Sequence, residues 1–194
     1  MPKSICVFAG SSSGAHPQYV EAARELGREI AARNYGLVYG GAAVGLMGAL
    51  ADAVLEAGGN VIGVMPEFLV KKEIAHRRLS DLRVVQSMHE RKALMAELAD
   101  GFVALPGGFG TIEEFFEILT WGQLGMHQKP CALFNVCLYY ERLLEFLDHV
   151  ATEELLKPVY RSMIIVAADA QALLDGLENY RAPSLPKWIG LSKS

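Results

Sequence analysis

The chain has 194 residues, a length that fits one domain with a substantial core. Hydrophobic residues make up 52% of it, which points to a well-buried α/β domain rather than a disordered chain, and the net charge of -4 lacks the basic excess of a general nucleic-acid-binding surface. Three cysteines, Cys6, Cys131 and Cys137, show no metal-ligand spacing, and an odd number placed mostly in apolar runs points to reduced thiols in a cytoplasmic protein.

The apolar run at residues 5–9 predicts a first strand. It is too short for a signal-peptide core, and no run approaches membrane-spanning length. Gly10-Ser11-Ser12-Ser13-Gly14 closes it. Residues 17–33 predict a helix with Tyr19, Ala22, Ala23, Leu26 and Ile30 as its apolar stripe. A second strand at 37–39 runs into Gly40-Gly41-Ala42-Ala43-Val44-Gly45-Leu46-Met47-Gly48 and a helix to about residue 56. A third strand at 61–65 is stopped by Pro66, and residues 67–81 read as a charged, solvated segment. A fourth strand at 82–86 precedes a helix at 88–99. A fifth at 102–105 leads into Pro106-Gly107-Gly108-Phe109-Gly110-Thr111-Ile112-Glu113-Glu114. A sixth strand at 132–136, a helix at 139–151, a seventh strand at 164–166 and a helix at 169–178 complete the pattern.

Strand and helix alternate throughout. The expectation is an α/β fold: one doubly wound, Rossmann-like parallel sheet with helices on both faces, occupying residues 1–180, followed by an irregular tail at 181–194. In such sheets ligands bind beyond the carboxyl ends of the strands, where the strand order reverses. Three Gly- or Ser-rich turns, at 10–14, 40–48 and 107–110, all follow strands and should converge on one rim, as in a nucleotide site.

The turn at 106–114 stands where a strand hands over to a helix. Unpaired N–H groups and the helix dipole favour an anion there, and glycine lets it approach the backbone. Thr111 and Glu114 also have the Thr-x-x-Glu spacing of a capping box, a purely structural role. A cap, however, does not need three glycines in front of it.

In the helix from Met88, the residues Met88, Arg91, Met95 and Leu98 form one stripe that should face the sheet. Arg91 puts a permanent charge on it, which is costly unless a phosphate or a carboxylate such as Glu114 meets it. The five histidines do not pair at metal-ligand spacing, and Gly-Gly-Ala-Ala-Val-Gly at 40–45 is not the dinucleotide fingerprint, so neither a metal nor a nicotinamide cofactor is expected.

These stretches together resemble the LOG (Lonely Guy) family of cytokinin riboside 5′-monophosphate phosphoribohydrolases, some relatives of which carry the label lysine decarboxylase. The marker is Pro-Gly-Gly-x-Gly-Thr-x-x-Glu, complete at 106–114; Met88-His89-Glu90-Arg91-Lys92 matches the family's Met-x-x-Arg-Lys, and Thr120-Trp121-Gly122-Gln123-Leu124-Gly125 is similar to its following helix. Two positions depart from the family pattern: Ala42 stands where a third glycine is frequent, and Ala9 where the first strand often has cysteine. The resemblance implies Arg91 and Glu114 as the catalytic pair. It implies substrate contacts from Gly10, Ser11, Ser12, Gly40, Gly41, Gly45, Glu73, Met88, Lys92, Gly107, Gly108, Phe109, Gly110, Thr111 and Thr120. The substrate would be an adenine-type nucleoside 5′-monophosphate, split by water into free base and ribose 5-phosphate by a cytoplasmic homodimer that needs no metal or cofactor. Glu114 as base and Glu114 as electrostatic stabiliser are both open. A decarboxylase would need a Schiff-base lysine with a cofactor-phosphate cup, and Lys92 is the only lysine near the rim. The rival of another class is a nucleotide-binding sensor or carrier, which would have no need of Arg91 and Glu114 together.

Overall fold

The computed structural model describes residues 3–70, 75–79 and 81–183. Seven parallel strands form one sheet in the order β4-β3-β2-β1-β5-β6-β7. In chain order they are β1 (Ser4–Phe8), β2 (Gly36–Tyr39), β3 (Val61–Pro66), β4 (Asp81–Val85), β5 (Gly101–Ala104), β6 (Cys131–Phe134) and β7 (Ile164–Ala167). The helices are α1 (Pro17–Ala32), α2 (Gly45–Glu56), α3 (Glu67–Val70), α4 (Met88–Leu98), α5 (Phe109–Gln123), α6 (Glu141–Thr152), α7 (Pro158–Arg161) and α8 (Ala170–Asn179).

The sheet is buried on both faces because its strands are apolar at successive positions, and the two-residue period of a strand divides them. Ile5 and Val7 of β1 point to one side, into a cluster with Leu26 and Ile30 of α1, Leu50 and Val54 of α2 and Leu173 and Leu174 of α8. Cys6 and Phe8 point to the other, into a cluster with Met95 of α4, Phe115 and Ile118 of α5 and Leu144 of α6. The Phe8 and Phe102 rings stack in that second layer with centroids 6.2 Å apart. A Leu→Ala change at a site as enclosed as Leu26, which is fully buried, costs about 2–5 kcal/mol.

The chain builds β1 to β4 outward in one direction, then returns across β1 to start β5 on its other side. Strand order reverses between β1 and β5, so the turns leaving these two strands diverge and open a crevice at the carboxyl edge. That crevice holds the site.

Predicted and observed strands agree to within two residues at each end. Three short elements were not expected: α3, α7 and a 3₁₀ turn at Val136–Leu138 ahead of α6. Each is a single turn, below the length at which apolar periodicity can be read. Among the described residues no helix is long and apolar enough to cross a membrane.

Candidate active site

A cavity of about 310 Å³ opens at the reversal point, lined by Gly10 and Ser11 after β1, Gly40 after β2, and Gly108, Phe109, Gly110 and Thr111 at the start of α5. Met47 of α2 and Met88, Arg91 and Met95 of α4 complete its wall with Glu113 and Glu114 of α5. The three glycine-rich turns therefore do share one rim. A second cavity of about 310 Å³ lies across the Gly10–Ser11 and Gly107–Gly108 waist, with Tyr19, Leu46, Pro106 and Tyr139 in its wall.

Arg91 reaches the floor because of how α4 begins. Ser87 is the N-cap; its hydroxyl accepts from the Glu90 N–H at 3.1 Å, while the Glu90 carboxylate accepts from the Gln86 N–H at 2.8 Å. This resembles a capping box, with the return bond going to the residue before the N-cap, and it pins the first turn one residue before Arg91. The Arg91 side chain then runs inward. Its Nε donates to the Val64 carbonyl of β3 at 3.1 Å, and Nη1 lies 3.3 Å from a Glu114 carboxylate oxygen. Gly40 provides the room: a Cβ there would collide with the guanidinium.

Arg91 and Glu114 are 9% and 8% exposed, so the pair is largely withdrawn from water. Burial raises the Glu114 carboxyl above its ordinary range, and the Arg91 charge offsets only part of that. A carboxylate with raised proton affinity, next to a fixed cation in a cavity, is a candidate functional group.

The capping-box reading of Thr111 and Glu114 is corrected. Helix α5 starts three residues earlier than that reading requires, at Phe109 with Gly108 as N-cap and no side-chain cap bond. Thr111 is thus the third helical residue and Glu114 the sixth, and both fall on the buried face with Phe115, Ile118 and Gly122. The box that the Thr-x-x-Glu spacing suggested lies at Ser87-x-x-Glu90 instead, where the same spacing was legible. The inner stripe of α4 is also rotated from the expected one: Arg91, Lys92 and Met95 are buried, whereas Met88 is 38% exposed at the cavity lip.

The other expected substrate contacts divide into three groups. Gly10, Ser11, Gly40, Met88, Gly108, Phe109, Gly110 and Thr111 line the first cavity, and Ser12 and Gly107 line the second. Gly45 lies outside both linings but shapes the rim. Its φ is +59°, and a Cβ would strike the Ser11 backbone, so only glycine lets α2 start this close to the first turn. Gly41, Lys92 and Thr120 are not brought to the cavity. The Gly41 carbonyl accepts from the His76 N–H at 2.9 Å. The Thr120 hydroxyl donates to the Phe116 carbonyl at 2.7 Å. Lys92 Nζ sits 2.5 Å from Glu113 and 3.0 Å from Glu117, joining α4 to α5. Glu73 lies outside the described residues.

Two residues of the site region were not picked out from the sequence. Tyr139 Oη donates to the Gly107 carbonyl and Tyr140 Oη to the Leu105 carbonyl, each at 2.6 Å. Their one available signal was position: a tyrosine pair following a strand, on the edge where the glycine turns gather.

Among the described residues no group of three or more His, Cys, Asp or Glu side chains could hold a metal. Lys92 is poorly suited to Schiff-base chemistry. Burial alone would lower its proton affinity, but its hydrogen bonds to Glu113 and Glu117 outweigh that and hold it charged, whereas an imine-forming lysine must lose its proton. A larger cleft of about 430 Å³ between α1 and α2 has charged walls, but Arg28 is paired with Glu21 at 2.7 Å and Asp52 with His76 at 3.0 Å, both partners lying outside the lining.

The family model described as "Possible lysine decarboxylase" matches residues 47–177. The cytokinin riboside 5′-monophosphate phosphoribohydrolase of Rhodococcoides fascians is 51% identical over 179 residues, spanning 92% of this chain and 90% of the relative. An Arabidopsis thaliana protein of the same name is 49% identical over 178 residues, spanning 92% and 82%. Among solved structures, the molybdenum cofactor carrier protein of Chlamydomonas reinhardtii superposes with a TM-score of 0.69 at 22% identity, covering 92% of this chain and 97% of that one, a likeness of fold alone. With half its residues shared over nearly its whole length, and with the Arg91–Glu114 pair and the glycine loop on one rim, the chain belongs to the LOG family of cytokinin riboside 5′-monophosphate phosphoribohydrolases.

Proposed function

We propose that the protein hydrolyses the N-glycosidic bond of adenosine 5′-monophosphates, N6-prenylated or plain, releasing the free base and ribose 5-phosphate. The observation that carries this is the buried Arg91–Glu114 ion pair in the floor of a cavity rimmed by the glycine loop. The N–H groups of the first turn of α5, which have no intrahelical acceptors, would hold the 5′-phosphate together with the Thr111 hydroxyl. That anchors the ribose beside Glu114.

Breaking the bond from C1′ to the base leaves the electron pair on the departing base and positive charge on the sugar, as in glycoside hydrolysis. Water then bonds to C1′, and the proton it releases ends on the base. Glu114 faces the developing cation with a negative charge, and Arg91 keeps that carboxylate ionised and oriented despite its burial. Both residues thus act on the same charge.

The protein is further proposed to work as a cytoplasmic homodimer that joins through α4 and α5. Support comes from the family resemblance and from the apolar side chains left open at the starts of these helices, Met88 and Phe109, the latter at 95% exposure, and in the turn after α5, Met126.

Chromatography of reactions with AMP and with an N6-prenylated analogue, in buffer without added metal or cofactor, tests the proposal. Equal yields of base and ribose 5-phosphate are expected. Binding of either nucleotide without products would turn the site into that of a sensor or carrier.

A further inference from the structure

The loop between β5 and α5 is held in an unusual way. Three successive carbonyls, those of Leu105, Pro106 and Gly107, each accept a hydrogen bond: from Tyr140 Oη at 2.6 Å, from the Gly10 N–H at 3.2 Å, and from Tyr139 Oη at 2.6 Å. Of these three, only the Gly107 peptide is flanked by glycine on both sides, so it is the one the backbone could most easily rotate. A peptide is planar, and its C=O and N–H point in opposite directions. Whatever fixes the Gly107 oxygen therefore fixes the direction of the Gly108 N–H.

We infer that Tyr139 is a positioning residue for the anion-binding loop: by capturing the Gly107 carbonyl on the far side of the waist, it turns the Gly108 N–H toward the cavity of Arg91 and Glu114. The placement of the two residues supports this, since Tyr139 and Gly107 wall the second cavity, whereas Gly108 borders both. With the peptide reversed, a carbonyl oxygen would face the substrate phosphate and repel it. The inference rests on the reading of that loop as the phosphate site.

The protein holds Tyr139 in place with some effort. Asn135, at the end of β6, accepts the Tyr140 N–H at 2.7 Å and donates to Glu141 at 3.2 Å. Between them Cys137 and Leu138 both adopt left-handed backbone, with φ of 51° and 58°. The rings of Tyr139 and Tyr140 meet edge to face at 4.9 Å, and Tyr19 packs on Tyr139 in the same way at 5.8 Å. A phenylalanine at 139 keeps both ring contacts and loses only the hydroxyl.

Tyr140 supplies the control. Its hydroxyl also holds a loop carbonyl, but the peptide concerned ends at Pro106, which has no N–H to aim. Calorimetric titration with ribose 5-phosphate, alongside melting curves, separates the two. Tyr139→Phe should bind ribose 5-phosphate about tenfold more weakly and raise KM for AMP by a similar factor with kcat nearly unchanged, the pattern of lost uniform binding. Tyr140→Phe should melt at a lower temperature with ribose 5-phosphate affinity unchanged. Wild-type affinity in Tyr139→Phe would overturn the inference and leave the hydrolase reading standing. Equal losses of affinity in both variants would also overturn it, since the hydroxyls would then only support the fold. Failure of the wild type to bind ribose 5-phosphate would overturn the inference together with the phosphate reading.

Discussion

A guanidinium nitrogen of Arg91, at the end of the first turn of α4, lies 3.3 Å from a carboxylate oxygen of Glu114, in the second turn of α5. Neither helix needs this contact for its own termination. Helix α4 is capped by Ser87, and α5 starts on Gly108 without a side-chain cap. The pair is therefore not part of the capping of either helix.

Glu114→Gln should leave the fold intact and slow turnover of AMP by roughly 10²–10³-fold, the usual scale for removing one group that stabilises transition-state charge. Glutamine keeps the volume and an acceptor for Arg91, and the correction of the capping box leaves no helix-start bond to lose. Turnover measured beside the melting temperature checks this. Near-normal activity would return Glu114 to a packing role.

The pH profile should carry the mark of this carboxylate. Burial raises its proton affinity and the Arg91 charge partly lowers it again, so the net folded value lies above the ordinary carboxylate range. Activity requires the ionised form, so kcat/KM should fall as the pH drops through that raised value, earlier than an exposed glutamate would allow. Arg91→Ala removes the opposing charge. Its residual activity should be lower, and its acid limb should move to still higher pH. The sign for stability is the reverse of a salt-bridged surface acid. A raised folded pKa makes the site's contribution most favourable at low pH and lost as the pH rises through the folded value. An acid limb in Arg91→Ala that stays put or moves down would show that Arg91 does not act on Glu114.

Most of what positions this pair was legible in the chain. Short apolar runs marked all seven strands, amphipathic runs with period 3.6 marked helices between them, and the charge at 91 on an otherwise apolar stripe identified the inward arginine. What escaped was local competition among similar signals. Ser87-x-x-Glu90 and Thr111-x-x-Glu114 have equivalent spacing, and only the register of the helix start, set by Gly108, decides which one caps. Lys92 is adjacent in sequence to Arg91 but points elsewhere, because a helix turns by 100° per residue. The tyrosine pair acts on carbonyls more than 30 positions away, a relation that no local pattern encodes.

Lys92 should behave as a fastener. Its Nζ lies within 3.0 Å of both Glu113 and Glu117 and is the inner member of a pair of contacts joining α4 to α5. Glu113 is mostly exposed, so the ion pairs themselves are screened, and the loss in Lys92→Ala comes as much from the buried alkyl stem. A cost of about 1–2 kcal/mol, or roughly 2–8 °C in Tm for a chain of this size, is expected with KM for AMP within twofold of wild type. A large rise in KM at unchanged Tm would instead make Lys92 a substrate contact.

The strained turn ahead of α6 offers a test of a different kind, because its outcome is set by backbone alone. Leu138 has φ of 58° and is 67% exposed, so its side chain contributes little burial to offset its left-handed conformation. That conformation costs an L-residue roughly 1–2 kcal/mol, and more when the residue is branched at Cβ. Leu138→Asn should raise the melting temperature by a few degrees at most, since asparagine tolerates this region without the chain-entropy cost of glycine. Leu138→Val should cost about 1 kcal/mol of stability or more, a fall of at least roughly 2–4 °C in melting temperature. If the turn also carries Tyr139 to its place, Leu138→Val should weaken ribose 5-phosphate binding as well, while Leu138→Asn leaves it unchanged. Thermal melts of the two variants beside the wild type decide the matter: a valine variant as stable as the wild type would mean that the chain does not hold this turn under strain.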